Sequence, residues 1–267
     1  MTLAAIMVTV DFDPASKARI TLAADLARRF GSLLIGVAGW PLIKRPVETL
    51  SDDELADRAS KELRDLGERF RKIAEEVAVR VEWRSSIDFP REVIPKEARA
   101  ADLLVIGQRM LPGDVVHSYD PGTIILAAGR PVLVVPPEID RLEFSRVLVA
   151  WKDTREARRA IHDALPFLKL ADEVSIAVAK TPGAEDADAQ IADVAKYLER
   201  HDVRVAEQIS SVANEDEESV LLDIGRQRQA SLIVAGAYGR TRLSEWIFGG
   251  VTRHLLLNSS VPCLLSN

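Results

Sequence analysis

Residues 232–265 read LIVAGAYGRTRLSEWIFGGVTRHLLLNSSVPCLL. An apolar run closes at Gly236, followed by Ala237, Tyr238 and Gly239. After nine intervening residues come Gly249, Gly250 and Thr252, then an amphipathic stretch, Pro262 and a last apolar run. The order is strand, glycine loop, helix, strand. Glycines at the carboxyl end of a strand let the backbone approach a ligand and adopt positive φ. The N-terminus of the next helix offers unpaired N–H groups and a partial positive charge. Such a combination makes an anion site, most often one for phosphate.

Working outward, the chain says one thing twice. Residues 101–107 (ADLLVIG) echo residues 230–236 (ASLIVAG), and 130–135 (RPVLVV) echo 261–265 (VPCLL). Upstream, residues 4–10 (AAIMVTV) match 146–151 (RVLVAW), each followed by a polar turn and a helical pattern. The next strands, 32–38 and 173–179, also correspond. Polar helices are expected at 52–76 and 186–201, with short strands at 79–83 and 203–208. Each half therefore reads β-α-β-α-β-α-β-α-β. Continuous apolar strands alternating with helices imply a parallel sheet covered on both faces. The expected fold is α/β: two tandem doubly wound domains, 1–138 and 145–267, each a five-stranded, mainly parallel sheet. Residues 136–142 (PPEIDRL) form the expected linker.

Bulk composition narrows the function. The net charge of −6 argues against nucleic acid, since phosphate backbones are met by clustered Lys and Arg. It does not exclude a small phosphorylated ligand held by backbone amides. Cys263 is the single cysteine, so an intrachain disulfide is excluded and a reducing, cytoplasmic setting is expected. No stretch has the length and hydrophobicity of a membrane span. The first residues read as a strand rather than a signal peptide, because a basic leader segment is absent.

The spacing G-x2-G-x9-G at Gly236, Gly239 and Gly249, placed after a fourth strand, resembles the nucleotide-binding branch of the universal stress protein family. The resemblance covers both halves. It implies a glycine loop around the phosphates of ATP or AMP, with Mg2+ carried by the nucleotide. An acidic residue after the first strand would meet the adenosine end, and backbone after the second strand, near Ala179, would meet adenine. The chain departs from that pattern twice. Gly250 stands where a Ser or Thr is usual, while Thr252 supplies a hydroxyl two positions on. Losing a hydroxyl–phosphate bond costs roughly 1.5–3 kcal/mol. Lys152 stands at the acidic position, with Asp153 next to it. Asp153 either takes the ribose contact or caps the following helix with Thr154. The first half keeps an acid, Asp11, but Gly107 lacks the second glycine, and Asp114 and Asp120 enter the loop before Gly122 and Thr123. Negative charge there opposes phosphate. The expectation is a degenerate first site and one adenine nucleotide per chain in the second half.

Arg240 and Arg242 are candidates for phosphate oxygens, against the ordinary reading as solvated loop arginines. Trp246 and Phe248 read as loop anchors, and Trp151 as core packing. The four histidines, His117, His162, His201 and His254, lack metal-ligand spacing. Neither a catalytic set nor a metal site is legible, so at most slow ATP hydrolysis is expected. The resemblance also implies pairing through final strands: 131–135 beside 261–265 as an intrachain pseudo-dimer, with a further homodimer of chains left open. The leading expectation is a cytoplasmic, ATP- or AMP-binding stress-response regulator. The alternative is a structural or interaction module that binds no nucleotide.

Overall fold

The computed structural model describes residues 3–44, 50–108, 117–180, 187–212, 217–238 and 250–267. Its contacts divide the chain into two compact units, one of residues 3–130 and 137–141, the other of 131–136 and 142–267. Among the described residues no helix is long and apolar enough to cross a membrane.

In the first unit the elements run β1 (Ala5–Thr9), α1 (Ser16–Phe30), β2 (Leu33–Gly39), α2 (Asp52–Glu75), β3 (Val81–Ser86), α3 (Pro90–Glu97), β4 (Leu103–Gly107) and α4 (Pro121–Ala128). The strands lie in the order β3-β2-β1-β4, all parallel. Ile6 registers with Leu34 on one side and Leu103 on the other, and all three are fully buried. Helix α1 stops at Gly31, whose φ of 68° takes the left-handed turn. Helix α2 starts at a capping box: Ser51 Oγ accepts the Glu54 N–H, and the Glu54 carboxylate accepts the Ser51 N–H. That carboxyl lies below its ordinary pKa, chiefly through the Ser51 N–H bond. Within β2, Gly36 makes room for a helix side chain. A Cβ there would lie 2.9 Å from the Phe70 ring, so the ring rests on bare strand backbone.

The second unit holds β5 (Val132–Val135), β6 (Arg146–Trp151), α5 (Arg155–Leu168), β7 (Glu173–Lys180), α6 (Ala187–Glu199), β8 (Val205–Val212), α7 (Glu217–Gln227), β9 (Leu232–Gly236), α8 (Gly250–Asn258) and β10 (Cys263–Ser266). Its strand order is β5-β10-β9-β6-β7-β8. All neighbours are parallel except β5, which runs antiparallel to β10 with Val134 opposite Cys263 and Val132 opposite Leu265. The strand at the end of the first half thus belongs, by its contacts, with the second unit. Cys263 is buried there, and burial pushes its thiol pKa up to about 12, leaving it inert.

The two halves share the doubly wound α/β design, helices on both faces included. Strands β3 and β8 each begin two residues later than the hydrophobic pattern indicates. In both cases the chain first turns through a non-glycine residue in left-handed conformation: Ala78 at φ 57° after α2, and Asp202 at φ 61° after α6. The turn residues 76–80 and 200–204 carry apolar side chains without being strand.

Candidate functional site

Doubly wound sheets present ligand crevices beyond the carboxyl ends of their strands. In the second unit β9, β6 and β7 are neighbours, with Ala150 opposite Ala235 and Trp151 opposite Val178. Gly236, Trp151 and Ala179 therefore share one carboxyl edge. Gly236 is demanded by packing: a Cβ would lie 2.4 Å from the Ala157 nitrogen and 2.7 Å from the Glu156 carbonyl carbon. The first turn of α5 presses its backbone onto the strand end. Beyond it, the Ala237 N–H donates to the Ser266 carbonyl at 2.8 Å. Tyr238 takes a left-handed φ of 60°, and its N–H donates to Thr252 Oγ1 at 3.4 Å. Thr252, three residues into the region where α8 begins, is only 3% exposed. Its hydroxyl ties the start of the loop to the helix that follows the loop. Gly250 opens α8. Gly239, Arg240, Arg242, Trp246, Phe248 and Gly249 lie outside the described residues.

The connection between β6 and α5 settles into a cap. Thr154 Oγ1 accepts the Ala157 N–H at 3.2 Å and is the N-cap of α5. Asp153, exposed, pairs with Arg158, so its carboxylate is held on the α5 surface. Lys152 is exposed. Trp151 is 5% exposed, in line with a packing role, and among the described residues its indole N–H finds no hydrogen-bond acceptor.

The corresponding edge of the first unit is filled by its own side chains. Arg19, from α1, is 4% exposed. Its Nη2 meets Asp11 Oδ2 at 2.7 Å and its Nε donates to the Thr9 carbonyl at 3.0 Å. The guanidinium lies over Gly107, where a Cβ would be 2.6 Å from Arg19 Nη1. Burial opposes the charge of Arg19, but Asp11, Tyr119 and Asp13 outweigh it and raise the pKa. Tyr119 Oη accepts the Gly107 N–H at 3.0 Å and shares a 2.8 Å hydrogen bond with Thr9 Oγ1. At the N-terminus of α4, Asp120 Oδ2 accepts both the Thr123 N–H and the Thr123 hydroxyl, each at 2.8 Å. A carboxylate of the chain itself thus satisfies the helix end that contains Gly122 and Thr123. A cavity of about 60 Å³ remains, walled by Phe12, Val37, Trp40 and Tyr119 among others. Its rim carries His117 stacked on Trp40, ring centroids 3.9 Å apart.

Arg19 and Tyr119 are the residues that sequence reasoning missed. Arg19 had a signal: an arginine beside Ile20 and Ala23 on the apolar stripe of α1 is a charge where the pattern calls for a hydrophobe. Tyr119 had none, because its role depends on a hydrogen bond to a residue 110 positions away. Elsewhere, His162 Nδ1 lies 3.3 Å from Tyr197 Oη, and His254 Nδ1 lies 3.3 Å from Asn258 Nδ2. Among the described residues no group of three or more His, Cys, Asp or Glu could hold a metal ion.

The sequence model of the universal stress protein family matches residues 3–119 and again residues 143–266. A universal stress protein from Archaeoglobus fulgidus is similar in structure, with a TM-score of 0.79, 17% identity, and coverage of 98% of this chain and 96% of that one. A functionally unknown protein from Pseudomonas aeruginosa is similar at a TM-score of 0.63 and 16% identity, covering 99% of this chain and 92% of the other. No curated protein matches the chain.

Proposed function

Since this chain belongs to the universal stress protein family, we propose that its second half holds the phosphates of one ATP or AMP per chain and that the protein acts as a cytoplasmic, nucleotide-responsive stress factor. The observation that carries this reading is the contrast at the two helix N-termini. In the first half Asp120 already supplies the anion that α4 attracts. In the second half α8 opens with Gly250, and the loop before it starts from Gly236 at the shared edge of β9, β6 and β7. The amides of Gly236, Gly239, Gly249 and Gly250 would cradle phosphate, with Mg2+ arriving on the nucleotide. Ala179 backbone would face the adenine, and Lys152 and Arg240 would add positive charge. The Asp153–Arg158 pair favours the capping surface over the ribose for Asp153. We expect turnover slower than about 1 s⁻¹.

The test is to denature purified protein and identify the released nucleotide by chromatography and mass spectrometry. One equivalent of ATP or AMP per chain supports the reading, and its loss in Gly239→Val places it in the second half. One observation favours the alternative of a module without nucleotide: Thr252 is only 3% exposed, with its oxygen accepting the Tyr238 N–H. Protein that is empty and fails to take up added Mg-ATP would establish that alternative.

A further inference from the structure

The last residues of the chain hold the entrance of the glycine loop. Ala237 is fully buried, and both of its backbone groups are engaged by residues 266 and 267. Its N–H donates to the Ser266 carbonyl at 2.8 Å. Its carbonyl accepts Asn267 Nδ2 at 2.9 Å. Helix α5 secures those two residues in turn. The Ser266 hydroxyl donates to Asp163 Oδ2 at 2.9 Å, and Arg159 Nη1 donates to the Asn267 backbone oxygen at 2.8 Å. Arg159 and Asp163 stand one helical turn apart, with Nε 4.0 Å from Oδ2. The first turn of the same helix packs on Gly236.

Tyr238 explains why such fastening is needed. A tyrosine at φ 60° is in a region disfavoured for a residue with a Cβ, and it persists only where its surroundings over-determine it. Ala237 is gripped on one side and the Tyr238 N–H is held by Thr252 on the other. We propose that Arg159, Asp163, Ser266 and Asn267 form a latch that pre-sets the loop entrance and thereby sets the phosphate affinity of the second half. This rests on the reading that the second half binds an adenine nucleotide. All four are positioning residues: they act through Ala237, and pre-organising a loop removes ordering cost from the binding step.

The experiment uses the full chain with AMP as the probe, by isothermal titration, alongside thermal melting and amide hydrogen exchange. Asn267→Ala and the isosteric Asn267→Asp both remove the donor to Ala237. Each is expected to weaken AMP binding by about tenfold, the upper end for one neutral hydrogen bond, with the melting temperature unchanged. Exchange at Ala237 and Tyr238 should accelerate by a similar factor. Arg226→Ala, which removes an exposed pair with Asp223 on α7, should leave all three readouts alone. Wild-type affinity and exchange in both Asn267 variants would overturn the latch. So would an affinity loss that merely follows a loss of melting temperature. Wild-type protein that binds no AMP sinks the nucleotide reading itself, and with it the latch's part in affinity.

Discussion

At Gly107 the space beside the strand end is taken by a side chain, and at Gly236 it is taken by backbone. In the first half Arg19 reaches across from α1 and buries its charge against Asp11. In the second half the first turn of α5 closes directly onto the strand, and the residue after β6 at the matching place is the exposed Lys152. The helix ends differ in the same sense. Helix α4 is capped by Asp120, an internal anion, whereas α8 begins at a glycine. One copy of the fold has answered its own electrostatic demands. In the other, helix α8 opens at Gly250.

The sharpest way to break this contrast is at the ligand. Gly239→Val should reduce nucleotide affinity by about 100-fold or more, equivalent to roughly 2.7 kcal/mol, in equilibrium dialysis. Gly122→Ala in the first half should leave affinity unchanged. Equal losses would show that both halves bind. The buried pair tests the contrast through stability. Asp11→Ala strands the Arg19 guanidinium without its counter-ion and should cost about 3–5 kcal/mol in urea denaturation. Lys152→Ala, at the matching strand end, should leave the denaturation midpoint in place. A smaller effect tests the helix ends: Asp120→Ala should cost about 1 kcal/mol through lost capping of Thr123.

The smallest effect is one of pH. Burial, with the Asp11 charge adding to it, raises the pKa of Tyr119 above its ordinary value of 10.0, against the opposing influence of Arg19. A group raised on folding contributes stability that is complete below its unfolded pKa and is lost as pH climbs through the folded one. Stability should therefore fall on the alkaline side of about pH 10. Tyr119→Phe should flatten that limb in pH-dependent melting, after an initial loss of about 1 kcal/mol from the missing hydrogen bonds.

Much of the architecture was legible because it rests on local pattern. Apolar strands, Gly236, Pro131 and Pro262 recur in the same order in both halves, and the repeat survives translation into strands that pair in register. Element starts were less legible. Val79 and Val203 look like strand residues, yet each lies in a turn whose left-handed residue is an ordinary Ala or Asp rather than Gly. Candidate residues divided along a similar line. Gly236 and Thr252 stood out through spacing, and Thr154 through the residue preference of caps. Arg19 and Tyr119 act through tertiary contacts, and only the misplaced charge on an apolar helix face hinted at the former. The pairing of 131–135 with 261–265 was expected from the family resemblance and not from the strands' own residues. A strand's neighbours depend on which edge is open to it, and the residues of the strand do not encode that.

That last point has a consequence for concentration. Strand β5 reaches β10 as part of the same polypeptide, so their pairing is unimolecular. In separately made halves the same ladder would have to form between two molecules, and dilution would weaken it. Here the intervening chain holds the strands at a fixed effective concentration, which linked modules can raise to the millimolar range. The outer edge of β10, which would otherwise be a ready template for stray strands, is occupied in every molecule at any dilution.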